Sequence, residues 1–309
     1  MKDRIICPSL KNEQVRTALL LAAGTGSRLA PLTDLAPKCL VPVNEISILE
    51  RLVDSLKEHN FNRLVIVVGH QADCIRNFLG TRSGGMEITY IVSPLYKTTN
   101  NIYSLWLARK IIDEPFLLIE SDLVFDPKLL KGMLCPDRIA VGKSHAWMNG
   151  TTVTINNTQK VDAFHCGAHN HDDNHYKTVN IYSLSSATWQ LVRERLESHI
   201  SNNLVNGYYE TVFADMVDEG SLSFSPVFFD CNRWYEIDTI SDLRIAEKMP
   251  GLRHRPFVTV TDHVAGKPKV HKSPAFNQLK TDVPFKKAAF RQSDRKVSKP
   301  RMSAVTLPQ

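Results

Sequence analysis

The sequence predicts an α/β protein built on an open, mostly parallel sheet with helices on both faces and a small antiparallel β extension. Three observations predict it. Short apolar runs at Thr17–Ala23, Arg63–Val68 and Phe116–Ile119 have the length of strands buried on both faces, and Glu87–Val92 reads as a further strand. Segments of helical period alternate with them, the rhythm of a sheet whose crossovers are helices. Gly24, Gly69-His70 and Asp122 all fall just past the ends of these runs. Ligands of open parallel sheets sit beyond the carboxyl ends of the strands.

In chain order, the run Thr17–Ala23 comes first and stops at Gly24-Thr25-Gly26. Ile48, Leu49, Leu52, Val53 and Leu56 then place one apolar face on a helix over Ser47–Lys57. The run Arg63–Val68 closes on Gly69-His70-Gln71, and Asp73 is the expected cap of a short helix carrying Ile75, Phe78 and Leu79. After the run Glu87–Val92, Asn101–Ile112 is helical by period, and Pro115 stops it before Phe116–Ile119.

From about residue 145 the pattern turns to β segments, Thr151–Ile155, Val161–His165 and Thr178–Leu184, which predict the antiparallel extension. Cys166–His175, with His169, His171 and His175 among Asn and Asp, reads as a solvated hairpin tip, with a metal site as the lesser alternative. Helices over Ser186–His199 and Gly207–Glu219 follow. Short strands are expected at Leu222–Phe224, Val227–Phe229 and Trp234–Ile237, and a last helix at Asp242–Met249.

Three regions result: an N-terminal extension 1–16, a catalytic domain 17–250 and a basic tail 251–309. The tail has 13 Lys and Arg against 3 acids, and Pro256, Pro268, Pro274, Pro284, Pro300 and Pro308 interrupt it. It reads as disordered. The net charge of +6 belongs to that tail, because residues 1–250 carry 25 basic against 29 acidic groups. Charge therefore gives the main domain no nucleic-acid role. No apolar run is long enough for a transmembrane helix, and Met1–Arg16 lacks the apolar region of a secretory signal. Six cysteines, scattered singly, read as reduced thiols of a cytoplasmic protein.

The chemistry centres on Gly24-Thr25-Gly26. Without side chains, the glycine amides can turn toward an anion at close range. Arg28 and Lys38 follow on a loop stiffened by Pro31 and Pro37. Backbone donors and two cations beyond a buried strand suit a triphosphate. The dinucleotide fingerprint is excluded, since Leu29 stands where its third glycine belongs, and the Gly-Lys-Ser/Thr of a Walker loop is absent. A bound triphosphate usually brings a divalent ion, and Mg²⁺ usually comes with one or two carboxylates. Asp122 and Asp238, each just past an apolar run, qualify by position.

The run Ala22-Ala23-Gly24-Thr25-Gly26-Ser27-Arg28-Leu29-Ala30-Pro31-Leu32-Thr33, then Pro37-Lys38, resembles the signature loop of nucleotidyltransferases that activate sugar phosphates or alcohol phosphates. The resemblance implies their Rossmann-like fold. It implies that Ala22, Ala23, Gly24, Thr25, Gly26, Ser27, Gly69, His70 and Asn101 bind the nucleotide. Arg28 and Lys38 would counter the phosphate charge as catalytic residues. Glu120-Ser121-Asp122 and Trp234-Tyr235-Glu236-Ile237-Asp238-Thr239 resemble the family's two metal positions, so Asp122 and Asp238 would hold Mg²⁺. Sugar-activating members usually carry Gly-Asp at the first of these, where this chain has Ser121-Asp122.

Asn100–Leu105, Trp147–Thr151, Tyr176–Tyr182 and Tyr208-Tyr209-Glu210 resemble a narrower branch, the cytidylyltransferases of phosphocholine and 2-aminoethylphosphonate. The resemblance spans about residues 17–249. It implies CTP as donor, a phosphate or phosphonate acceptor held by Lys177, and an acceptor pocket of Trp147, Tyr182, Trp234, Glu210 and Glu236. Aromatic faces and carboxylates of that kind suit a cationic amine. A sugar- or inositol-phosphate nucleotidyltransferase, or a silent effector-binding domain of the same fold, is the alternative.

Overall fold

A computed structural model describes residues 14–145, 148–167, 174–250 and 252. Main-chain contacts divide the chain at Phe257/Val258, and all the described residues belong to the first unit. The extension 1–16, except its last three residues, and the tail 251–309, except Leu252, lie outside the described residues.

The elements are β1 (Thr17–Ala22), α1 (Ile48–Glu58), β2 (Arg63–Val68), α2 (Ala72–Leu79), β3 (Met86–Val92), α3 (Asn101–Leu107), β4 (Phe116–Glu120), β5 (Leu123–Phe125) and β6 (Arg138–Lys143). Then come β7 (Thr152–Ile155), β8 (Val161–His165), β9 (His175–Leu184), α4 (Ser186–Ser201), α5 (Tyr209–Asp218), β10 (Ser225–Phe229), β11 (Trp234–Glu236) and α6 (Ile240–Ala246).

A ten-stranded sheet runs β8-β7-β9-β4-β1-β2-β3, with the short strand Arg82–Ser83 at its edge and β6 and β10 branching from β9. The β4-β1-β2-β3 centre is parallel, and β9 joins β4 antiparallel. The predicted β extension is thus a continuation of the main sheet. Strand β1 is buried along its whole length. Its side chains alternate between two cores, Leu20 and Ala22 in one, Leu19 and Leu21 in the other. That period of two explains the unbroken apolar run of a strand covered on both faces.

Local chemistry sets the helix starts. Ser47 caps α1 by accepting from Glu50 N at 3.1 Å, and Ser185 caps α4 by accepting from Thr188 N at 3.0 Å. Helix α6 begins earlier than Asp242, because Thr239 and Asp242 form a capping box in which Asp242 is the third helical residue. Asp73 is not the cap of α2. Gln71, with left-handed backbone (φ 49°), precedes that helix, and Asp73 pairs with Arg76 in its first turn.

Other expectations shift as well. Helix α3 ends at Leu107 and tightens into a 3₁₀ turn over Ala108–Lys110, and α5 starts at Tyr209. Leu222–Phe224 is no strand; Leu222 and Phe224 are buried beneath α5 and its neighbours as core residues. Strand β6 gives little sequence signal, since its apolar core of Ile139, Ala140 and Val141 is bracketed by Arg138 and Lys143. Its place is set by pairing with β9 and, in parallel, with β10. His175 is buried at the start of β9, its ring 4.7 Å from that of His165, rather than solvated, because the strand extends further back than Thr178. His169 and His171 lie outside the described residues. Cys39, Cys74, Cys166 and Cys231 are free thiols. Cys135 is disulfide-bonded, against the reading of six reduced cysteines. Scattered spacing carries no information on which sulfurs the fold brings together. Among the described residues no helix is long and apolar enough to cross a membrane.

Candidate active site at the carboxyl ends of the parallel strands

Beyond β1 the chain turns at Gly26, whose φ of 63° favours glycine. Gly26 O accepts from Leu29 N and from Thr33 Oγ1, both at 2.9 Å, which closes the loop. A Cβ on Gly26 would meet Lys38 Cβ at 2.9 Å, so the glycine also makes room for Lys38. Gly24 has open space where a side chain would stand. Gly69, past the end of β2, is packed on this loop: a Cβ there would lie 2.7 Å from Ala23 O, and His70 N donates to the same oxygen at 3.1 Å.

Lys38 Nζ donates to Asp122 Oδ2 at 2.8 Å and to Asp238 Oδ1 at 2.7 Å. Arg28 Nη2 donates to the same Asp238 oxygen at 2.8 Å. Burial works against the charge on Lys38, but Asp122 and Asp238 outweigh it and raise the ammonium above its ordinary range. Arg28 is largely exposed, so its pairing with Asp238 is weak and easily exchanged.

Asp238 reaches Asp122 because β11 pairs antiparallel with β5, and Ile237 N donates to Asp122 O at 2.9 Å. Asp242 Oδ2 accepts from the amides of Asp238 and Thr239 and so holds the turn. Glu236 comes with the same strand. One oxygen each from Asp122, Glu236 and Asp238 lie within 4.8 Å of one another. Asp122 Oδ1 is buried without a hydrogen-bond partner among the described residues. Three converging carboxylates with an unused buried oxygen fit a hard divalent cation.

Behind this rim, Glu236 lies 3.6 Å from the ammonium of Lys177, which is buried and donates to Thr178 O at 2.8 Å. Asn101 at the start of α3 donates from Nδ2 to Glu120 Oε1 at 3.0 Å and accepts from Tyr209 N at 3.1 Å. It thereby ties α3, the end of β4 and the start of α5. Burial lifts the Glu210 carboxyl to about 7, with Glu236 adding to the effect and Lys177 opposing it. Burial, then Asp122 and Glu210, push Glu120 well above its ordinary value. Burial also raises Glu236, against Lys177 and with Asp122 and Asp238.

Residues 17–161 match the protein-family model described as Nucleotidyl transferase. Over that segment the chain resembles nucleotidyltransferases. Over 248 residues it is 34% identical to the CMP-5'-(3-aminopropyl)phosphonate synthase of Streptomyces rubellomurinus, a match covering 74% of this chain and 38% of that protein. The chain thus spans well under half the length of that relative. It is 24% identical over 238 residues to the choline-phosphate cytidylyltransferase of Streptococcus pneumoniae, covering 75% of this chain and 97% of that one. A solved structure of CTP:phosphocholine cytidylyltransferase from Streptococcus pneumoniae matches with a TM-score of 0.66 at 23% identity, covering 76% of this chain and 98% of that one. The fold is shared.

The fold gathers Arg28, Lys38, Asp122 and Asp238 with the glycine loop. It adds Glu236 to the two expected metal residues, and it sets Lys177, Glu210 and Asn101 behind them. Asn101 points its side chain at Glu120 and Tyr209. Tyr182 is fully buried among Tyr209, Phe213 and Phe224, and Trp234 packs against Gly142, so neither presents an open aromatic face. Trp147 lies outside the described residues. Sequence reasoning missed Glu120, although a carboxylate closing a buried strand, two residues before Asp122, was a usable signal.

Proposed function

We propose that this chain is a Mg²⁺-dependent cytidylyltransferase that moves CMP from CTP to the phosphate or phosphonate oxygen of a small amine-bearing acceptor. The acceptor oxygen forms a bond to the α-phosphorus, the bond from that phosphorus to the β-phosphate oxygen breaks, and pyrophosphate leaves. The observation that carries this reading is the meeting of Lys38 with both Asp122 and Asp238 beside the Gly24–Ser27 loop.

Asp122, Asp238 and Glu236 would hold the ion, which when bound supplies positive charge to the phosphate oxygens. The loop amides bind the phosphate tail as oriented donors. Lys38 and Arg28 stabilise charge developing on the transferring phosphoryl group, and in the absence of nucleotide the aspartates keep both cations in place. Lys177 is the acceptor-side cation, a point charge for phosphate or phosphonate. CTP as donor is supported by the similarity to a CMP-phosphonate synthase and a cytidylyltransferase.

The test is pyrophosphate release with CTP, UTP, GTP and ATP against phosphocholine, 2-aminoethylphosphonate and glucose 1-phosphate. CTP-dependent release with an amine-bearing acceptor is expected. Release only with a sugar phosphate, or none with any pair, overturns the reading.

A further inference from the structure

A cleft of about 550 Å³ opens between the turn before β11 and the end of the described chain, lined by Cys231, Tyr235, Ile245, Lys248, Met249 and Pro250. None of the rim carboxylates lines it. Helix α6 buries Leu243 and Ala246 in the cluster that holds Leu29, Val41 and Ile237, whereas its Ile245 is 44% exposed. One exposed isoleucine needs no explanation. Here it joins Met249 and Pro250 in a concave apolar wall, which is a different matter.

The course of the chain supplies an occupant. Leu252 is buried in the same cluster as Met249, and Asn44 Nδ2 donates to Leu252 O at 3.4 Å. The backbone is thus pinned beside the cleft at the point where residues 253–309 begin. Arg253-His254-Arg255 comes next, and then Pro256-Phe257, the first apolar pair. Five residues reach about 17 Å at most, enough to turn back over Pro250 and Met249. Pro256 has no N–H, so burying it strands no backbone donor. The division of the chain falls at Phe257/Val258, directly after this pair.

We infer that Pro256-Phe257 folds back into this cleft, so that the start of the basic tail is a strap closed on Ile245 and Met249. The strap goes beyond the proposed transfer reaction and does not depend on it. It lies against Tyr235, the neighbour of Glu236 in β11, whose hydroxyl donates to Asp242 Oδ1 at 3.5 Å. Asp242 in turn accepts from the amide of Asp238. The tail is thereby anchored on the strand that brings the carboxylates to the rim, without entering the site.

Cys231 stands in the cleft as a free thiol, and Cys166 is a free, exposed thiol elsewhere. The experiment is timed alkylation of the full chain with N-ethylmaleimide, read at each cysteine by peptide mass spectrometry. Phe257→Asp is expected to speed labelling of Cys231 at least about tenfold, as when one buried phenyl ring is lost, with Cys166 unchanged. Ile245→Asp, a change at an exposed position, is expected to act in the same way. The double variant should be no faster than either single one, because both break one contact. Unchanged labelling of Cys231 in Phe257→Asp overturns the inference, and so do additive effects of the two substitutions. Protection that rises with protein concentration, as a second copy in the cleft would give, also overturns it. Equal acceleration at the buried Cys39 does the same, since the segment would then hold the whole fold and not this cleft.

Discussion

Lys38 and Asp238 are 200 positions apart in the chain, yet the ammonium of one meets the carboxylate of the other at 2.7 Å. The contact closes a chain of charges, with Asp122 on the far side of Lys38 and Arg28 on the far side of Asp238. Carboxylates suited to a dication are thus balanced by the two cations suited to phosphates. On the proposed function, ligand binding at this site would be an exchange of ionic partners.

A divalent ion should therefore stabilise the folded protein by mass action, by about 2.7 kcal/mol at a hundredfold excess over its Kd. Asp122→Asn should lose that rise. Thermal melts with and without Mg²⁺ measure it, and an undiminished Mg²⁺ effect in the variant would remove Asp122 from the ion site.

Lys38→Met should lower the single-turnover rate of CMP transfer by about 10²–10³, the range seen when one donor to a developing oxyanion is lost. Rapid-quench kinetics at saturating CTP isolate the chemical step. A rate equal to wild type contradicts the assigned role.

Stability of the ligand-free protein should fall as pH rises from about 4.5 to about 7. Glu210 titrates at about 7 in the fold against an ordinary 4.5, so in that window the folded chain binds more protons than the unfolded one. The contribution is complete below the lower value and is lost as pH rises through the upper one. Glu120 and Glu236, also raised, add in the same direction, while Lys177 opposes the shift of Glu210 and Glu236. The Glu210 share is at most about 3 kcal/mol. Urea unfolding across that range should show a shallower slope for Glu210→Gln, and an identical slope would mean that Glu210 is ionised throughout.

Gly69→Ala should weaken CTP binding and destabilise the fold by about 1–3 kcal/mol, because the new methyl would press on Ala23 O and on Tyr96. Gly24→Ala, where space is open, is the comparison for stability. Equal melting temperatures for the two variants would show that the Gly69 packing is not strained by a methyl.

The central strands were legible because burial on both faces leaves an unbroken apolar run, as at Leu19–Leu21. The glycine loop with Arg28 and Lys38 was legible because those residue types have few other uses at such spacing. Strand β6 was obscure, since its charged ends hide a short core and its neighbours are distant in sequence. Glu236 as a third carboxylate of the ion site was obscure for a related reason. Its meaning depends on the pairing of Trp234–Glu236 with Leu123–Phe125.

By itself the sequence determined the alternation of strands and helices, the anion-binding loop, and which carboxylates stand at strand ends, because each follows from local period and residue type. Only the tertiary structure decided that Asp238 crosses to Asp122 and Lys38, that Asn101 turns to Glu120 and Tyr209, and that Glu210 is buried. Those are contacts between segments distant along the chain. They are set by strand pairing and core packing, which local pattern does not encode.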